Sequence, residues 1–160
     1  MTKPMRRSAA AIAIITACGA VSGASFGAEG PLAELELNKA RWEAAGFQAY
    51  AYGYNKHCDC YRQAPPETVV TVTGGVVTRV YHVHADSPRE VPAREGSLDL
   101  YWTIEDLFAL LESATMRNAV VRAQYDAELG YPTSIYIDYD PALVGDELDL
   151  RITRVDRPAP

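Results

Sequence analysis

The chain has 160 residues, with 15 Lys and Arg against 21 Asp and Glu, a formal net charge of −6 and only three cysteines. That acidity excludes the basic footprint with which nucleic-acid binders neutralise phosphates. It also opposes attachment to an anionic membrane surface by charge alone, so any attachment requires a lipid.

The first residues, MTKPMRRSAAAIAIITACGA, set Lys3, Arg6 and Arg7 ahead of a short apolar run, Ser8 to Ala17. The run is about half of the ~20 residues that a spanning helix needs. It reads as a secretory signal and is set aside from the fold. Ile15-Thr16-Ala17-Cys18 resembles a bacterial lipobox, which makes residues 1–18 the signal and Cys18 the lipidation site. Ordinary cleavage near Ala24 or Ala28 is the alternative and gives a soluble periplasmic or secreted protein. Losing three cations leaves 12 basic against 21 acidic residues, a net −9. Residues 19–31 are small and flexible, as a tether would be. Cys58 and Cys60 then remain as an even pair in a compartment that permits oxidation.

The predicted domain spans residues 32–156, enough for one core of its own. Leu32 to Gly46 has helical character with Gly46 as its stop. Phe47 to Tyr54 alternates, with Tyr50, Tyr52 and Tyr54 on one face, so it is a strand. TVVTVTGGVVTRVYHV is a hairpin turning at Gly74-Gly75. Asp86 to Ser97, with Pro88, Pro92 and Gly96, is a loop. Leu100 to Ala114 is the second helix, with Thr103 as N-cap and Glu105 and Asp106 favourable at its positive end. Strands follow at Ala119 to Tyr125, Thr133 to Tyr139 and Glu147 to Val155, and residues 157–160 form a disordered tail. The order α-βββ-α-βββ implies an α+β domain, an antiparallel sheet with two helices packed on one face.

Several of these landmarks recur together: Trp42, Tyr50-x-Tyr52, Cys58-x-Cys60, Val70-x-Val72 with Gly75 and Val77, and Thr103-Ile104-x-Asp106-Leu107-Phe108. Val121-x-x-x-Tyr125-Asp126, Gly130-Tyr131-Pro132, Ile135-x-Ile137-Asp138 and Asp146-Glu147 complete the set. The chain thereby resembles, from about Trp42 to Ile152, a bacterial family of secreted proteins and lipoproteins classed as a domain of unknown function, number 6174 of that series. The resemblance implies fold and location and brings no reaction, substrate or catalytic residue. His57, His82 and His84 lie outside its pattern.

Five groups of residues are candidates for chemistry. Cys58 and Cys60 are two apart, and in an extended strand their Cα atoms would be about 6.5–7 Å apart, at the outer limit for a disulfide. A bond between them therefore needs a bend. A redox pair is the weaker reading, because thiol exchange favours C-x-x-C opening a helix. A zinc or copper site would draw on His57, Cys58, Cys60, His82 and His84, but an intervening strand puts the two groups roughly 9.5 Å apart. The plainer expectation for His82 and His84 is a position on the wet face, with Tyr81 and Val83 inward. Tyr50, Tyr52 and Tyr54 could offer a ligand surface, although packing against a helix with hydroxyls at the rim suits tyrosine better. The carboxylates Asp138, Asp140, Asp146, Glu147 and Asp149 lack a calcium-loop pattern and read as solvated charges. Asp126 and Gly130 read as turn chemistry.

The sequence shows no G-x-S-x-G, P-loop, H-E-x-x-H or dinucleotide fingerprint. The expected function is therefore a cell-envelope lipoprotein or secreted domain acting as a binding or accessory module. It would use no catalytic residue, cofactor or nucleic acid and would partner an envelope protein or small ligand. The alternative is a thiol- or metal-dependent envelope protein.

Overall fold

The computed structural model describes residues 30–57, 66–84, 90–93 and 96–157. Cys18, Cys58 and Cys60 lie outside the described residues, as do the leader and most of the tether. Helix α1 spans Pro31–Ala45 and is followed by β1 (Ala49–His57), β2 (Glu67–Thr73), β3 (Val76–Val83) and β4 (Glu90–Pro92). After a 3-10 turn at Leu98–Leu100 come α2 (Ile104–Met116), β5 (Val120–Tyr125), β6 (Pro132–Asp138) and β7 (Leu148–Asp156). The strands form one antiparallel sheet in the order β4-β3-β2-β1-β7-β6-β5. Two meanders, one on each side of α2 in the chain, are thus joined where β1 meets β7.

The expected α+β architecture is present, with local differences. Glu90–Pro92, read as loop, adds a short edge strand beside β3. Proline is tolerated there because one side of an edge strand pairs with nothing. Strand β1 continues past Tyr54, because Asn55, Lys56 and His57 pair with Arg151, Leu150 and Asp149 of β7. Helix α2 begins at Ile104, not Leu100, and its capping box explains why. The Asp106 amide donates to Thr103 Oγ1 at 3.0 Å, and the Thr103 amide donates to Asp106 Oδ2 at 2.8 Å, satisfying two otherwise orphan donors.

Gly74 and Gly75 both have positive φ, 60° and 77°, as a primed hairpin turn requires. Gly130 is constrained twice. Its φ is +79°, and a Cβ there would lie 2.3 Å from the Asn38 carbonyl oxygen of α1. The turn before it is closed by Asp126 Oδ1, which accepts from the amides of Glu128 and Leu129 at 3.0 and 2.7 Å.

Both helices lie on one face of the sheet, and the core sits between. Leu35 and Trp42 of α1, with Ile104, Leu107, Phe108 and Leu111 of α2, meet Tyr50, Tyr52, Val70, Val72, Ile135, Ile137 and Leu150 from the strands. The alternation of each strand places its other residues on the opposite, open face.

Candidate functional site

The tyrosine stripe is a structural element and presents no ligand surface. Tyr50 and Tyr52 are each 1% exposed and Tyr54 8%. The hydroxyls of Tyr50 and Tyr52 are not at the rim, as tyrosine's amphipathic character had suggested, because α2 and the segment just before it supply partners inside. Tyr50 donates to Glu105 Oε2 at 2.6 Å and accepts from the Ile104 amide at 2.8 Å. The other oxygen of Glu105 accepts from Trp42 Nε1 at 2.7 Å, so one carboxylate ties α1, β1 and α2 together. Tyr52 donates to the Trp102 carbonyl at 2.5 Å. Burial raises the pKa of both hydroxyls far above the usual phenol value, and the Glu105 hydrogen bond adds to the rise at Tyr50. Tyr54 is pushed up to about 12, mainly by burial.

The open face is polar and ordered in cross-strand rows. Register places Arg122 opposite Tyr136, Tyr136 opposite Asp149 and Asp149 opposite His57. The adjacent row runs Gln124, Ser134, Arg151, Asn55. The Arg122 guanidinium lies over the Tyr136 ring, 4.3 Å from its centroid. Among the described residues, neither Arg122 nor Arg151 has a carboxylate within ion-pair distance. Asn55 Oδ1 is buried and has no hydrogen-bond partner among the described residues. Further along this face, Glu67 accepts from Thr153 Oγ1 and pairs with Arg154 at 3.3 Å, and it passes so close to Gly53 that a Cβ would lie 2.3 Å from its Oε1.

A groove of about 550 Å³ follows strand β5. All of residues 121–125 line it. Pro31, Glu34 and Leu35 of α1 with Thr115 of α2 bound it on the helix side, and Ser134, Tyr136, Asp149 and Arg151 on the open side. Burial, followed by the Glu34 charge, pushes Tyr125 up to about 12.

The histidines are distributed differently from expectation. His82 belongs to the helix-covered face, not the wet one: it pairs with Thr68, its Nδ1 lies 3.2 Å from Thr68 Oγ1, and its ring is 6.4 Å from that of Tyr101. Tyr81 faces the open side beneath Arg79. Burial, with the neighbouring His84, lowers the pKa of His82. His57 is exposed at the end of β1 on the open face, so the sheet itself separates it from His82. Among the described residues, no group of three or more His, Cys, Asp or Glu could hold a metal ion. The acidic segment is loop chemistry: Asp146 Oδ2 accepts from the Asp140 amide, Asp140 Oδ1 from the Ala142 amide and Glu147 Oε2 from the Gly145 amide.

Glu105 as the junction of the core, and Arg122, Tyr136 and Arg151 as an open-face group, were not singled out from the sequence. The period-two pattern of β5 to β7 marks the latter as outward-facing, but only the register aligns them in rows.

These features define a class: a single-sheet α+β domain with one helix-covered aromatic face, one open polar face and a groove along an edge strand. The chain belongs to a family of unknown function, DUF6174, matched over residues 34–157. No curated protein and no solved structure gives a match.

Proposed function

We propose that this chain is an exported protein of the cell envelope, anchored by lipid on Cys18, that serves as a non-catalytic binding or accessory module. Its contact surface is the open sheet face with the β5 groove. The observation that carries this reading is the contrast in how polar groups are used. The buried tyrosines and Glu105 are consumed by bonds that hold the helices to the sheet. Arg122 and Arg151 instead face outward with no carboxylate partner among the described residues. Guanidinium groups left in that state are suited to recognition of carboxylate or phosphate. The groove is open to water, which suits reversible contact better than chemistry that requires a dry site.

Two measurements test the reading. Intact mass of the mature protein should give a chain starting at acylated Cys18; unmodified chains starting after Ala24 would overturn the anchor. A photo-crosslinker at Gln124, on the open face, should give a discrete adduct in cells, and one at exposed Leu37 of α1 should not. Equal labelling from both positions, or none from Gln124, would overturn the assignment of the contact surface.

A further inference from the structure

The two edges of the sheet are built differently. Strand β4 has three residues and ends in Pro92, a short, proline-bearing edge of the kind that discourages a further strand. Strand β5 has six residues, VVRAQY, with no proline and no lysine. Its outer side therefore presents a row of backbone N–H and C=O groups that no other strand of the described residues uses. The groove of about 550 Å³ runs beside that row, with walls of opposite character. Leu35, Val121 and Ala123 form an apolar wall on the helix side, and Glu34 gives that wall a negative end near Tyr125. The open wall carries Arg122 and Arg151.

We propose that β5 is a strand-addition site that takes an extended segment of a partner protein, with apolar side chains toward α1 and acidic side chains toward Arg122 and Arg151. The inference rests on the binding-module reading and names the chemistry of the partner. Period-two alternation sends successive side chains of an added strand to the two walls in turn. Main-chain hydrogen bonds to β5 would supply affinity, and the walls would supply selectivity. Glu34 enforces the same orientation by repelling an acidic side chain from the helix side. Asp149 sits on the open wall, but two guanidinium groups outweigh its one carboxylate. A second copy of the chain fits less well. β5 contains no acidic residue, and pairing it with itself across Ala123 brings two Arg122 side chains to the same face as diagonal neighbours, with only Gln124 opposite each.

The test uses the mature chain, isotopically labelled, and two short capped peptides, one alternating valine with glutamate and the other valine with lysine. The glutamate peptide should bind about tenfold or more tightly than the lysine peptide. Amide shifts and slowed hydrogen exchange should be confined to residues 120–125 and the groove walls. Arg122→Gln should erase most of the preference, and Arg122→Glu should reverse it. Equal binding of both peptides, shifts centred on β4, no change at β5, or self-association through β5 without peptide would each overturn the proposal. If the peptides fail while Gln124 still crosslinks in cells, strand addition alone is lost. If Gln124 crosslinking fails, the binding-module reading goes with it.

Discussion

Tyr52 and Tyr136 lie on opposite faces of the same sheet and are used in different ways. Tyr52 is enclosed beneath α2, and its hydroxyl is committed to the Trp102 carbonyl. Tyr136 offers its ring as a shelf for the Arg122 guanidinium. Tyr50 and Tyr81 repeat the pattern, the first bonded to Glu105 and the second beneath Arg79. A buried hydroxyl needs a fixed partner, because leaving it unsatisfied costs about 1–3 kcal/mol. An exposed cation over a ring contributes only about 0.5–1 kcal/mol. The covered face is thus where stability is concentrated.

The strongest way to break this comparison is truncation on each face. Tyr52→Ala should cost about 3–5 kcal/mol in urea unfolding, whereas Tyr136→Ala should cost no more than about 1 kcal/mol; equal costs would refute the contrast. A pH titration sharpens it. Tyr54 and Tyr125 are pushed up to about 12, and Tyr50 and Tyr52 further, all mainly by burial. A phenol whose folded-state pKa is raised contributes stability that is complete below its unfolded value near 10 and is lost as pH rises through the folded value. The thermal midpoint should therefore hold up to about pH 10 and fall steeply beyond it, and Tyr52→Phe should flatten that fall.

Smaller effects follow. Tyr50→Phe strands the buried Ile104 amide and should cost about 1–3 kcal/mol, measurable by denaturation, with faster hydrogen exchange at Ile104. Gly53→Ala, on the open face, puts a methyl against the ends of Glu67 and Thr153. Those ends can rotate away, so the cost should be about 1 kcal/mol, chiefly the lost hydrogen bond. Least of all, His82 has its pKa lowered by partial burial. Its contribution is present above about pH 6.5 and declines as pH falls through the folded value; His82→Gln should remove that shallow acid slope.

Much of the architecture was legible because it is local. The Gly74-Gly75 turn, the Thr103 cap with Asp106, the Gly46 stop and the Asp126 turn each follow from a few neighbouring residues. What escaped depends on distant pairing. The last three residues of β1 are strand because β7 lies beside them, and the hydroxyls of Tyr50 and Tyr52 find partners at and just before the start of α2, about fifty residues later. The reversal at His82 has a specific cause. A bulge opposite Thr71 and Val72 adds one residue to β3, so Val77 and Val80 share a face although they are three apart. Alternation counted from either end of VVTRVYHV then disagrees by one. The open-face site was the least legible, because arginine, tyrosine and aspartate at outward positions look like ordinary solvated residues until the register sets them in rows.

The seam between β1 and β7 has a consequence for the order in which the molecule can be completed. Ala51 pairs with Asp156, so β1, the central strand of the seven, must wait for β7 before both its sides are paired. During vectorial synthesis the first meander is finished early yet keeps a bare flank until β7 has been made. A stop codon shortly before Leu148 would remove the zipper and leave two half-sheets, each with a sticky border and neither able to close the aromatic core.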